Sequence, residues 1–345
     1  MKNIVTIWWW TWTFNLVSWL KKLNNVFIHT IVTMSDDGGS TWTLRDEYGI
    51  LPPGDLRRAL VALADDDKTE FLRKLFSYRF ENGFLKWQNL WNLIMFASEK
   101  IEKDYWKAIN KLENLFEIKK WKVYPATEEN TRLLAQLEDG QYIIWETNID
   151  IPKHNWNLKI SSFSVIKQEY AEILNISKKV NQEDILNFTI KEALKNKPSS
   201  NNKLKEVFEK ADYIILWPWD LYTSILPNLL VWENKNLLVN SKAKKVYIWN
   251  LFTKYGETNG FKLSDFLNVY RKYLGEDIFD YIIVQDEKKL NISSWILENY
   301  KMEWKELIEN DINDKRIVKA DLISSGLYLR HDKEKLSKVL NKIIK

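Results

Sequence analysis

Apolar and β-branched residues fall into short runs along this chain, separated by stretches with helical spacing, and the alternation repeats from end to end. Ile4 to Ile7 reads as a strand, and beyond a short loop Phe14, Leu16, Val17 and Leu20 recur at helical intervals. Phe27 to Thr33 reads as a second strand. Asp55 is a natural N-cap for a helix through Leu60, Leu63 and Ala64, and the period continues from Phe71 to Phe80. Helices are expected from the Lys86 to Leu93 stretch on to about Lys100, and again from Tyr105 to Phe116. Leu133 to Glu138 and Gln141 to Trp145, joined at Asp139-Gly140, carry a hairpin signal. Ala211 to Leu216 is the clearest buried strand. Lys245 to Trp249 and Tyr281 to Val284 follow as strands, with helices over Asp265 to Leu274 and after Asp332.

Strands alternating with helices predict an α/β fold, a doubly wound and mainly parallel Rossmann-like sheet flanked by helices. The chain from 1 to 345 reads as a single such domain. Residues 161 to 202 are polar and rich in Lys and Asn, which predicts an elaboration or insertion within it, part helical or a flexible arm.

The loops after the strands carry the candidate chemistry. Ligands of open α/β sheets bind outside the carboxyl ends of the strands. Three stretches occupy such places: Trp8-Trp9-Trp10-Thr11-Trp12; Asp36-Asp37-Gly38-Gly39-Ser40; and Trp217-Pro218-Trp219-Asp220, which runs into Tyr222, Thr223 and Ser224. A solvated turn would also account for the paired aspartates. In nucleotide-binding units the first loop is glycine-rich, because phosphate must approach backbone N–H groups at the helix N-terminus. Here it is rich in tryptophan.

Composition sharpens that contradiction. Glycine occurs 10 times in 345 residues, where average usage of about 7% gives roughly 24. Tryptophan occurs 18 times, and the two counts together approach an ordinary glycine number. Three readings are open. The indoles form core clusters, as Trp304 on a helix would; or they are stacking platforms for sugars or bases; or they occupy glycine positions. The third follows if UGA codons, read as glycine by some bacteria and as tryptophan by others, were translated under the wrong code. It suits tight bends, since positive φ is cheap only for glycine.

Charge adds little. Charged residues are 28% and mixed in sign, leaving a formal +4, too weak a bias to argue for nucleic acid. Cysteine is absent, which excludes disulfides and thiolate chemistry and suits a reducing compartment. No apolar run approaches the ~20 residues of a membrane span, and the chain opens on a strand pattern, so a cytoplasmic protein is expected.

With glycine at the tryptophan positions, the stretches beginning at residues 8, 35, 87, 211 and 256 read GGGTGT, SDDGGSTGTLRDEYGILPPGDLRRALVALAD, GQNLGNL, ADYIILGPGDLYTSILPNLLV and GETNG. In that form the chain resembles the gluconeogenesis factor family, the YvcK branch of the CofD-like proteins, in order from residue 4 to about 335. The resemblance implies a CofD-like three-layer α/β/α fold and binding of UDP-sugars such as UDP-N-acetylglucosamine.

Carried over by motif, Trp8, Trp9, Trp10, Thr11 and Trp12 would form the phosphate-facing loop. Asp36 and Asp37 would lie at the cleft, as acceptors or holding Mg²⁺ in a catalytic member, beside Gly38, Gly39 and Ser40. Arg45 and Arg57 are candidate phosphate partners, with a surface ion pair the alternative for both and nearly as strong a reading for Arg57. Asp55, Asn92, Trp217, Pro218, Trp219, Asp220, Tyr222, Thr223, Ser224, Asn228 and Arg330 complete the implied nucleotide-binding set.

Two positions depart from the family pattern. Gln88-Asn89 stands where His-Ser is usual, which removes a titratable imidazole and weakens a general base there. Asp220 stands where many relatives have Ser, with Tyr222, Thr223 and Ser224 then supplying hydroxyls at the helix start. His29 reads as structural, His154 as a turn residue, and His331 as a cleft residue. The function implied is a UDP-sugar-binding regulator of carbon flux, wall synthesis and cell shape, in which a homo-oligomer is compatible. The alternative is a metal-assisted transferase of a phosphorylated group from a nucleoside diphosphate carrier, like 2-phospho-L-lactate transferase. A tryptophan-lined carbohydrate module survives if the indoles are native.

Overall fold

The computed structural model describes residues 1–7, 20, 23, 25–37, 70–115, 121–151, 154–180, 182–290, 292–326 and 329–344. Two strands lead the chain, β1 (Lys2–Ile7) and β2 (Val26–Val32). Helices α1 (Glu70–Ser77), α2 (Leu90–Glu102) and α3 (Tyr105–Leu115) follow. Next come β3 (Trp121–Pro125), β4 (Thr131–Leu137), β5 (Tyr142–Ile144), α4 (Glu146–Asp150) and β6 (Ile160–Lys167). Helices α5 (Gln168–Lys179), α6 (Glu183–Lys195) and α7 (Leu204–Lys210) lead to β7 (Tyr213–Leu216). A π-helical turn over Leu221–Ile225 runs into α8 (Leu226–Leu229) and then α9 (Asn234–Asn240). The order closes with β8 (Lys244–Ile248), α10 (Leu263–Leu274), β9 (Tyr281–Gln285), α11 (Ser294–Met302), β10 (Ile317–Ala320) and α12 (Lys333–Ile343).

Seven strands form one sheet in the order β10-β9-β8-β7-β1-β2-β3, and every pairing is parallel. Such a sheet must be covered on both faces, which is why its strands are apolar at successive positions. Val5, Ile7, Ile214, Leu216, Ile282 and Val284 face one core, and Ile4, Ile28, Ile215, Val246 and Ile283 face the other. Each buried Ile or Val contributes roughly 1.5–3 kcal/mol. Thr6 and Thr30, paired in register, share a 3.0 Å hydrogen bond between their hydroxyls, so the polar positions between them are satisfied internally. Residues from α1, α2, α3 and α12 complete the second core, while α7, α9 and α10 pack on the first. The result is the expected three-layer α/β/α arrangement.

The first core has a second cover. Strands β5-β4-β6 form an antiparallel sheet in which Leu133, Ala135, Leu137, Phe163 and Val165 point into the main core. Leu134, Ile144 and Ile166 point the other way, under residues of α5 and α6. Residues 161 to 202 are therefore built structure, carrying most of β6 and all of α5 and α6; the flexible-arm alternative does not hold. Polar residues mislead there because α5 and α6 bury only one face each. Among the described residues, no helix is long and apolar enough to cross a membrane.

Candidate functional site

The sheet order places the switch point between β1 and β7, where the chain first builds outward through β2 and β3 and then returns to build the other way. A cleft of about 800 Å³ opens beside it, at the carboxyl ends of β7 and β8. Trp217, Pro218, Trp219 and Asp220 come from the loop after β7, and Asn250, Phe252 and Lys254 from the loop after β8. Arg330 and His331 precede α12, and Trp295 and Tyr300 lie on α11. The Asn250 amide donates to the Trp219 carbonyl oxygen at 2.7 Å and ties the two strand-end loops together. Phe252 stacks on Tyr300 with ring centroids 4.5 Å apart. The wall thus offers flat aromatic faces beside lysine and arginine head groups.

At the floor of the cleft lies a partly buried charge cluster. Lys254 Nζ sits 2.7 Å from Asp150 Oδ1 and 3.3 Å from Asp220 Oδ2. Glu257 completes the set, its carboxylate accepting from the Tyr222 backbone N–H at 3.0 Å and the Thr223 hydroxyl at 2.8 Å. Burial, reinforced by Asp220, pushes Glu257 up to about 8. Burial also raises Asp220, with Lys254 opposing it. Lys254 titrates well above an ordinary lysine: burial works against its charge, but the surrounding carboxylates of Asp220, Glu257 and Asp150 outweigh it.

A second acidic group lies at the end of β2. Both oxygens of Asp37 accept backbone N–H bonds, from Glu146 and Thr147 at 3.0 Å each, so it holds the first turn of α4. Burial raises the Asp37 carboxyl, against those donors and Arg132. Glu146 beside it is pushed up to about 11, by burial first and then by Asp36 and Asp37, so it keeps its proton at neutral pH. Arg132, fully buried, lies 4.7 Å from the Trp145 ring and is pushed down to about 10 by burial. This donor set does not suit Mg²⁺, which wants open carboxylate oxygens in octahedral array. Asp37 spends its oxygens on α4, and the trio of Asp150, Asp220 and Glu257, although its ligand atoms lie within 4.8 Å of one another, already surrounds an ammonium.

Of the residues the sequence nominated, Trp217, Pro218, Trp219, Asp220 and Arg330 line the cleft together. Tyr222, Thr223, Ser224 and Asn228 are buried below it, where Tyr222 packs edge-on against Phe163 and Asn228 donates to the Ser224 carbonyl. Asp36, Asp37 and Asn92 are buried and outside the cleft lining. Trp8, Trp9, Trp10, Thr11, Trp12, Gly38, Gly39, Ser40, Arg45, Asp55 and Arg57 lie outside the described residues. Sequence reasoning missed Lys254, Phe252, Trp295 and Tyr300. Only the ends of the strand-like runs pointed their way, since α11 reaches the cleft by tertiary packing alone.

The histidines divide by environment. His29 lies within hydrogen-bonding reach of Asn3 and Tyr124, and burial, with Lys122, lowers it to about 4. His154 bridges the Asn148 and Gly256 carbonyls at 3.3 and 3.4 Å. His331 faces Trp217 across 6.2 Å, and burial lowers it to about 4, so its imidazole is neutral, with Nε2 unpartnered among the described residues.

Backbone geometry separates the tryptophans into two groups. Trp87, Trp145 and Trp304 hold φ of 70°, 83° and 57°, half of the positive-φ residues other than glycine among those described. Trp91, Trp217 and Trp219 have no such strain, and Trp91 is 0% exposed, edge-on to Phe76. The core-cluster reading of Trp304 is corrected: it lies past the end of α11, 56% exposed, against Trp156 at 4.6 Å.

A parallel α/β sheet with an aromatic and basic cleft at its switch point places the protein in the doubly wound α/β class, whose ligands bind at that point. Residues 13–327 match the family described as 2-phospho-L-lactate transferase CofD, and the chain belongs to that family. A gluconeogenesis factor of Thermotoga maritima is 34% identical over 337 residues, 95% of each chain. One of Aquifex aeolicus is 32% identical over 92% of this chain and 88% of its own. A solved member of the UPF0052 family from Bacillus halodurans superposes with a TM-score of 0.81 at 30% identity, covering 99% of this chain and 98% of that one.

Proposed function

We propose that the cleft binds a nucleotide sugar of the UDP-N-acetylglucosamine type and that the protein acts through that binding as a regulator of carbon flux and wall precursor supply, without turning the ligand over. The observation that carries this reading is the cleft's pairing of aromatic faces with Lys305, Arg330 and Lys333 at the switch point. Rings suit a base or sugar face, and the cations suit a diphosphate. Similarity to gluconeogenesis factors supports the regulatory role. Calorimetry with UDP-N-acetylglucosamine, with and without Mg²⁺, is the test. Metal-independent binding with intact ligand supports the reading, and metal-dependent consumption overturns it. The Nε2 of His331, without a partner among the described residues, favours the second reading, a transferase; there, loss of turnover in His331→Asn with binding retained would be the sign.

The strained tryptophans support a further part of the same reading, that the native chain carries glycine where these indoles stand. A side chain at φ near 83° with ψ of 136°, as at Trp145, is held against its own sterics, and glycine is not. Peptide mass spectrometry of the protein from its own cells, set against the codons at the 18 tryptophans, decides it. UGG codons would end the idea.

A further inference from the structure

A second cavity, about 440 Å³, lies away from the first, between the α6-facing side of the small sheet and the segments around α9 and α10. Its size falls within the range of small-molecule sites. Leu134, Leu194 and Leu230 give it apolar walls, and three lysines, Lys197, Lys235 and Lys272, line it against one carboxylate, Glu233.

Two of those lysines are poorly served by the protein itself. Lys197 and Lys235 make no ion pair among the described residues, and they lie close enough that Lys235 adds to burial in depressing the Lys197 ammonium. Lys272 donates to the Ser161 carbonyl at 2.5 Å, which holds its amine at the rim. Like charges gathered at the edge of an apolar hollow repel one another unless an anion joins them.

An independent observation points the same way. Ser164 lies on β6 opposite Leu134, lines this cavity, and is only 5% exposed. Its Oγ has no hydrogen-bond partner among the described residues. A buried hydroxyl without a partner is uncommon and costly, and the apolar neighbours Leu134 and Ile166 on the same face supply none. An oxygen acceptor entering the cavity would satisfy it.

We propose that this cavity is a binding site for a small phosphorylated organic anion, its phosphate held by Lys197, Lys235 and the Ser164 hydroxyl and its carbon skeleton against the leucine walls. Lysine suits this task as a point charge toward phosphate, and the apolar walls distinguish an organic phosphate from the bare ion. The site is separate from the nucleotide cleft and stands whether or not that cleft binds UDP-sugars.

Calorimetry of the intact chain with glycerol 3-phosphate, inorganic phosphate and glycerol tests it. Glycerol 3-phosphate is expected to bind, inorganic phosphate more weakly and glycerol not at all. Lys197→Met and Lys235→Met should each weaken binding about tenfold, the scale of one charge-assisted hydrogen bond. Ser164→Ala should weaken it by a few fold, while Lys195→Met, which removes a surface lysine paired with Glu192, should leave it unchanged. Unfolding midpoints taken in parallel separate lost binding from lost folding. Absence of binding to the parent chain, equal binding by all variants, or loss only in Arg330→Met would overturn the proposal, the last by assigning the phosphate to the first cleft.

Discussion

Lys254 Nζ stands 2.7 Å from Asp150 Oδ1, joining the loop after β8 to the end of α4 beneath the cleft. The pair ties the small sheet to the large one, because α4 follows directly from β5. Removing the amine leaves Asp150, Asp220 and Glu257 facing one another without a counter-charge. Lys254→Met is therefore expected to destabilise the fold by about 2 kcal/mol, between the values for exposed and fully buried pairs. Urea unfolding would measure it, and an unchanged midpoint would show that the cluster is solvated.

Glu146 makes a prediction about pH. Its folded-state affinity for a proton is raised to about 11 by burial and by Asp36 and Asp37, whereas in the unfolded chain it ionises near pH 4.5. Across the interval between those values the folded state binds the extra proton, so this residue makes stability fall as pH rises. Glu146→Gln keeps the neutral shape and removes the proton. Stability measured from pH 5 to 9 should decline less steeply in the variant than in the parent.

Trp87 and Trp91 lie four residues apart and should respond in opposite directions. Trp87 is 68% exposed at φ 70°, so Trp87→Gly relieves strain and gives up little burial; a gain of about 1 kcal/mol is expected. Trp91 is wholly buried in α2 against Phe76, and Trp91→Gly should cost about 3–5 kcal/mol. Denaturant midpoints of the two variants check both signs.

Arg330 and Lys305 should govern ligand affinity rather than stability. Each lines the cleft, and replacement of either by Met is expected to weaken UDP-N-acetylglucosamine binding about tenfold and to flatten its dependence on salt. Titrations at two ionic strengths would show this. Equal affinities across parent and variants would place the ligand elsewhere.

The sequence by itself determined the parallel α/β frame. Runs such as Ile4 to Ile7 and Tyr213 to Leu216 are buried on both faces, and only a covered parallel sheet accepts them. It also determined the loop after β7 as a ligand-facing segment, because position after a buried strand is a local property. Tertiary structure alone decided the rest. Asp37, read as a cleft acceptor, caps α4 because the small sheet delivers that helix end to the tip of β2, a contact spanning more than a hundred residues. Tyr222 and Thr223 turn inward because the π-helical turn presents them to Glu257 and Phe163, and nothing in their own spacing says so. Lys254 becomes the counter-ion of Asp150 and Asp220 only once β7, β8 and α4 converge. Which tryptophans are strained likewise depends on backbone φ, a quantity set by the turns of the folded chain and visible at Trp87, Trp145 and Trp304 only there.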